Sequence, residues 1–177
     1  MYKKLIGHKI NLRKILKSDA ESIYKNAKDK EICRAVPLPM PYTLKSAQEF
    51  IRLTQKNWRN KKEAQFGIED KETGKIVGMI GLMNIDFESK KAEVGFWIGK
   101  EYWGKGTVME ALKLILKYAF PDLRLNRIYA KVFSQNISSQ KLLEKCNFKL
   151  EGQLRRDGKF KNKWDDQLIF GILKDEF

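Results

Sequence analysis

Residues Trp103 to Glu110 read Trp-Gly-Lys-Gly-Thr-Val-Met-Glu. They stand between two apolar runs, Val94-Gly95-Phe96-Trp97-Ile98 and Ala111-Leu112-Lys113-Leu114-Ile115-Leu116. That order predicts strand, glycine turn, helix, and so a mixed α/β fold built around this joint. Two glycines flanking one lysine let the backbone curl tightly, so consecutive N–H groups point at one anion. The helix behind adds its unpaired N-terminal N–H groups and the positive end of its dipole. A phosphate-bearing ligand is the first functional expectation.

The rest of the composition narrows the chemistry. The sole histidine is His8, which excludes a Ser-His-Asp hydrolase, a Cys-His protease and nearly every zinc enzyme. Cys33 and Cys146 stand far apart with no paired metal-ligand spacing, so no metal is expected and both read as reduced thiols of a cytoplasmic protein. No apolar run approaches the ~18 residues of a membrane helix, and the N-terminus lacks the apolar core of a signal peptide. No membrane association is expected. The 177 residues read as one domain spanning 1–177. The 36 Lys and Arg against 22 Asp and Glu leave a net charge of +14, which attracts phosphates generally. The lysines are scattered, however, and read as solvated surface.

Along the chain, Ile10–Ile15 alternates like a half-buried strand, and Ser18-Asp19-Ala20-Glu21 reads as a capping box opening a helix to about Ala27. Val36–Tyr42 holds three of four prolines and reads as a loop. A helix is expected over Thr43–Asn57, with a second capping box at Ser46–Glu49. Strands are expected at 65–69, 76–83, 92–98 and 127–133, and helices at 108–120 and 138–145. Asn147 closes the last helix as a residue that tolerates the left-handed conformation. Two final strands, Lys149–Leu154 and Asp166–Leu173, are expected to flank a turn near Asp157-Gly158.

Gly99 to Lys105 nearly matches the nucleotide-binding pattern G-x-x-x-x-G-K-[ST], but Gly106 stands where a magnesium-binding hydroxyl belongs. An ATPase is not expected. About thirty residues on, Asn136-Ile137-Ser138-Ser139-Gln140-Lys141-Leu142-Leu143-Glu144-Lys145-Cys146-Asn147-Phe148 follows the next strand. Together with Glu93-Val94-Gly95, Trp103-Gly104-Lys105-Gly106 and Glu110-Ala111-Leu112, this resembles the two acetyl-CoA-binding motifs of the GNAT superfamily of N-acetyltransferases. The branch most similar is the ribosomal-protein N-acetyltransferases of RimJ/RimL type. Leu12-Arg13, Pro41-Tyr42-Thr43, Glu151–Arg155 and Trp164-Asp165 extend the likeness over most of the chain. Three positions depart from the pattern: Glu101 replaces a Gln or Arg, Asn147 a glycine, and Glu144 the tyrosine many members use as general acid.

The resemblance implies the GNAT fold, a single, mostly antiparallel sheet of about seven strands splayed at the acetyl-CoA site and flanked by about four helices. It implies acetyl-CoA as co-substrate. Phe96, Trp97 and Ile98 would lie along pantetheine, and Trp103, Gly104, Lys105, Gly106, Thr107 and Val108 would cradle the pyrophosphate. Asn136 and Ser139 would contact the cofactor near its sulfur, while Lys141 and Lys145 would screen the nucleotide phosphate or stand solvated on their helix. Glu93 is the candidate base, directly or through water, with a strand carboxylate paired to a neighbouring lysine as the alternative. Ser139 is the candidate for returning a proton to the thiolate. Asp165 and Asp166 would bind a cationic acceptor or lie on the surface in a turn, and Trp58, Trp103 and Trp164 are expected to pack.

The reaction expected is direct acetyl transfer to a primary amine in a ternary complex, aided by positioning and by a backbone N–H on the Trp97-Ile98 strand. At pH 7 an α-amine is roughly a tenth neutral and a lysine amine only about four parts in ten thousand. A protein N-terminal α-amine, of the ribosomal-protein type that the resemblance implies, is therefore the favoured acceptor. A polyamine or aminoglycoside is the alternative within the enzyme class, and a non-catalytic RNA- or ribosome-associated module is the alternative outside it. No specific nucleic-acid partner is expected, since no recognition motif for one is present. The assembly is expected to be a monomer or homodimer.

Overall fold

The computed structural model describes residues 4–36, 38–59, 63–160 and 163–177. Eight strands form one sheet in the order β1-β2-β3-β4-β5-β6-β8-β7. These are β1 (Leu5–Ile6), β2 (Ile10–Arg13), β3 (Ala64–Asp70), β4 (Ile76–Asp86), β5 (Lys91–Ile98), β6 (Arg127–Phe133), β7 (Lys149–Phe160) and β8 (Lys163–Leu173). Five α-helices accompany them: α1 (Ala20–Ala27), α2 (Lys30–Ala35), α3 (Leu44–Arg59), α4 (Thr107–Lys117) and α5 (Ile137–Lys145). The sequence reading lacked β1 and α2, because two and six residues are too few to carry a hydrophobic period.

Helix α4 covers one face of the sheet with Ala111, Leu112, Ile115 and Leu116, and α5 adds Leu143 to the same core. A second core lies on the other face, where Ile23 and Ala27 of α1 and Ala47 and Ile51 of α3 meet Ile76 and Met79 of β4. Strand β5 serves both cores by strict alternation. Its Ala92, Val94, Phe96 and Ile98 join the α4 side, and Trp97 packs on the α1/α3 side.

Helix starts differ from the expected capping boxes. Ser18 lies inside a 3-10 turn, Lys17–Asp19, and α1 starts after Asp19, whose carboxylate accepts from the Leu16 N–H at 2.7 Å and from Arg13 Nη1 and Nη2 at 2.8 and 2.9 Å. Arg13 also gives its Nε to Glu69 at 2.5 Å, and Asn11 donates to the same carboxylate. A charged, part-buried guanidinium thus joins the Asp19 and Glu69 carboxylates. At α3 the reciprocal bonds join Thr43 and Ser46: Ser46 N donates to Thr43 Oγ1 at 3.1 Å and Thr43 N to Ser46 Oγ at 3.3 Å. The box thus sits three residues earlier than Ser46–Glu49.

At the C-terminal hairpin the expected turn is overturned. Asp157 and Gly158 belong to β7, with Gly158 paired to Asp165, and the ladder runs on to Phe160 opposite Lys163. The expected prolyl loop is described at Val36 and from Leu38 onward; Pro37 lies outside the described residues. Asn147 takes the left-handed φ of 66° that the sequence required of it.

Candidate active site

Every neighbouring pair of strands is antiparallel except β5 and β6, which run parallel and share only three rungs: Lys91 with Arg127, Ala92 with Ile128, Glu93 with Tyr129. Beyond Glu93 the two strands part. A groove of about 810 Å³ opens there, walled by Phe96, Trp97 and Ile98 on one side and by Gln135, Asn136 and α5 on the other. Gly99 N donates to Val77 O of β4. By the alternation of an antiparallel ladder, Gly99 and Trp97 then spend their backbone groups on β4, and Phe96 and Ile98 turn theirs toward the groove. The Ile98 carbonyl is already used, accepting from Trp103 Nε1 at 3.0 Å. This leaves the Phe96 and Ile98 N–H groups and the Phe96 carbonyl for a strand-like ligand, and it makes Ile98 the N–H donor on the expected Trp97-Ile98 strand.

The floor of the groove is the glycine turn. Gly104 and Gly106 have φ of 72° and 78°, and a Cβ on either would meet nothing within 4 Å. Gly106 is the N-cap of α4 and supplies no side chain to the helix's free N–H groups. These N–H groups therefore face a hollow with no protein acceptor among the described residues, the arrangement that holds an anion. A diphosphate fits it on that ground.

Of the residues expected to bind cofactor, Phe96, Trp97, Ile98, Trp103, Gly104, Gly106, Thr107, Val108, Asn136, Ser139 and Lys145 all line the groove, as does Lys141. Lys105 does not; its Nζ lies over the Tyr102 ring at 5.4 Å. Asn136 caps α5, its Oδ1 accepting from Ser139 N at 3.3 Å and Ser138 Oγ at 3.0 Å, so its Nδ2 is left for a ligand. Glu93 stands four residues back from Trp97 on the same face of β5 and is not on the groove wall; its Oε2 accepts from Asn84 Nδ2 at 3.1 Å, not from a lysine. Burial, then the nearby charge of Glu93, holds the Tyr129 phenol above its ordinary value. Glu144, at the position where many members of the resembled family carry a tyrosine, is exposed on α5 and does not line the groove.

Two expectations change. Asp165 is not a surface turn residue: it is 7% exposed in β8, does not line the groove, and accepts from Ser134 Oγ at 2.7 Å and Gln135 N at 3.3 Å. Its neighbour Asp166 also belongs to β8 and accepts from Arg156 N at 2.8 Å. Trp58 packs as expected, edge-on to Phe66, but Trp164 is 63% exposed. Four further groove residues carry no signal in the sequence. Glu31, Ile32 and Val36 from α2 and its end, and Phe160 from the β7 tip, also line the groove. No local pattern marks them; only their assembly on opposite sides of the split does. Among the described residues no group of His, Cys, Asp or Glu is placed to hold a metal, and no helix is long and apolar enough to cross a membrane.

A sheet split beside a glycine cradle and a bare helix N-terminus, with strand edges free to pair with an extended arm, defines a coenzyme A-dependent acyltransferase. The chain belongs to the GNAT acetyltransferases: the family model described as "Acetyltransferase (GNAT) domain" matches residues 9–149. It is 34% identical to the "Uncharacterized N-acetyltransferase p20" of Bacillus licheniformis over 98% of this chain and 97% of that one. It is 35% identical to the "Putative ribosomal N-acetyltransferase YdaF" of Bacillus subtilis (strain 168) over 75% and 73% of the two chains. Among solved structures it superposes on the spermidine N-acetyltransferase of Vibrio cholerae in complex with CoA and spermine. That match has a TM-score of 0.83 and 26% identity, and covers 95% and 97% of the chains. The protein is an acetyl-CoA-dependent N-acetyltransferase, and the non-catalytic alternative is set aside.

Proposed function

We propose that this enzyme acetylates the α-amine at the N-terminus of a polypeptide. The observation that carries the reading is the make-up of the groove wall we assign to the acceptor: Ile32, Val36, Trp97 and Phe160 are apolar, and among the described residues Glu31 is the single carboxylate lining the groove. That carboxylate is already held by Lys100 at 2.9 Å. A polycation needs several free carboxylates to offset its desolvation, and these walls offer none. An α-amine needs only one neutral nitrogen, which it supplies at neutral pH without a strong base. The relative with a ribosomal name agrees with this acceptor class.

Acetyl-CoA supplies an activated acetyl group on sulfur. Residues of the chain do the rest. The glycine turn and the first turn of α4 bind the diphosphate, with Lys141 and Lys145 screening charge. Phe96 and Ile98 orient the pantetheine arm, and the Ile98 N–H meets the negative charge that develops on the acetyl oxygen. Glu93 takes the amine proton through water, and Ser139 returns a proton to the leaving sulfur.

Thiol release from acetyl-CoA with N-terminal peptides, polyamines and aminoglycosides tests the reading, with mass spectrometry locating the acetyl group. Acetylation of spermidine with no peptide turnover would overturn it in favour of the polyamine reading, which the likeness to the spermidine enzyme supports.

A further inference from the structure

Glu93, Gly95 and Trp97 share the face of β5 that looks away from α4, because the alternate residues are turned into the α4 core. Glu93 sits on the last rung that β5 shares with β6, opposite Tyr129, at the point where the strands part. On its other side the β4–β5 ladder is interrupted between Met83 and Asp86. Within that interruption Asn84 takes a φ of 50°, the left-handed conformation that a side chain other than glycine's adopts at a cost.

The bulge re-aims the asparagine, as bulges beside active sites do. Asn84 Nδ2 reaches across to Glu93 Oε2 at 3.1 Å. Tyr129 joins the group from β6 on the rung opposite Glu93, with the Arg127 guanidinium 5.8 Å from its ring centre. Core packing does not explain the arrangement: Asn84 is exposed, and Glu93 and Tyr129 are only half-buried. A strained backbone held by its surroundings beside a reacting group is a reason to look for function.

We propose that Asn84 and Tyr129 are positioning residues that hold the Glu93 carboxylate at the opening between β5 and β6 for removal of the amine proton. This rests on the reading of Glu93 as the base. As the nitrogen–carbon bond forms, the carbon–sulfur bond breaks and sulfur leaves with its electron pair. The proton lost from nitrogen passes through water to Glu93. Between Glu93 and Trp97 the Met83 side chain lies over Gly95, where a Cβ would come within 2.7 Å of its terminal methyl.

The test is a double-mutant cycle on the full chain: Glu93→Gln, Asn84→Gly, Tyr129→Phe, and each of the last two combined with the first. Glycine suits the left-handed φ, so Asn84→Gly removes the amide without disturbing the fold. Turnover is read with the amine the native enzyme uses best, and acetyl-CoA binding by calorimetry. Glu93→Gln should lower kcat about 100-fold or more, Asn84→Gly about tenfold and Tyr129→Phe about threefold to tenfold. Acetyl-CoA affinity should stay within about twofold throughout, and neither second substitution should lower kcat further in the Glu93→Gln background. Native kcat in Asn84→Gly and Tyr129→Phe beside a crippled Glu93→Gln would overturn the positioning roles, as would fully additive losses. Native kcat in Glu93→Gln would instead remove the base assignment on which they stand.

Discussion

Ser134 Oγ donates to Asp165 Oδ1 at 2.7 Å, tying the end of β6 to β8 across 31 positions of sequence. The other oxygen of Asp165 accepts from Gln135 N, and Gln140 Nε2 donates to the carbonyls of Phe133 and Ser134 at 3.2 and 2.8 Å. The next residue, Asn136, caps α5 and lines the groove. A buried carboxylate on one strand thus sets the entrance of the helix that forms one wall of the site.

Asp165→Ala should therefore weaken acetyl-CoA binding without touching the ligand. It leaves the Ser134 hydroxyl and the Gln135 N–H without their partner, at about 1–3 kcal/mol of stability. KM for acetyl-CoA should rise about tenfold, measured by thiol release, while Asp165→Asn, which keeps one acceptor oxygen, should lose less.

Gly104→Ala and Gly106→Ala test the cradle. Each places a Cβ at a positive φ, costing about 1–2 kcal/mol, in space that contains no protein atom within 4 Å. Stability should fall by that amount only. Calorimetric affinity for CoA should fall further, by about tenfold or more, because the new methyl group and the shifted N–H groups meet the diphosphate. Equal affinity in both variants and the native chain would count against this loop as the phosphate site.

Acid should loosen the sheet edge through Glu69. Burial pushes this carboxylate up, but hydrogen bonds from Lys4, Asn11 and Arg13 outweigh it and bring it down to about 2, from an ordinary 4.5. A carboxylate depressed on folding contributes stability that is fully present above its unfolded value and is lost as pH falls through its folded value. The loss should therefore run from about pH 4.5 down to about 2. Chemical denaturation across that range should show it, and Glu69→Gln, less stable at pH 7 by about 2–3 kcal/mol, should show a flatter dependence.

Cys33 and Cys146 are both buried, and burial pushes each thiol above its ordinary value. The reactive thiolate is correspondingly scarce. Neither should react with a disulfide chromogen in the native protein near pH 7.5, and both should react after unfolding. A rapid native reaction would contradict the burial.

Local chemistry determined a good part of this protein. Gly104, Gly106 and Asn147 mark left-handed positions because few residues tolerate them, and all three take that conformation. Asn136 caps a helix because its short side chain reaches the N–H of Ser139. The alternation in β5 sorted its residues between two cores. These are rules written within a few neighbouring residues, and with the spacing of the two motifs they identified the family and the cofactor.

Other features depended on partners far away in the chain. The Asp19 carboxylate is held by Arg13, Asp157 and Gly158 lie in β7 rather than a turn because the ladder pairs Gly158 with Asp165, and Asn84 gained its place from the interruption of the β4–β5 ladder. The groove wall is the extreme case, since Ile32 and Phe160 approach one cavity from distant parts of the sequence. Periodicity and capping fix the shape of a segment, but a contact between segments is settled by which packing buries the most apolar surface while leaving polar groups paired, and that choice is made only when the whole sheet assembles.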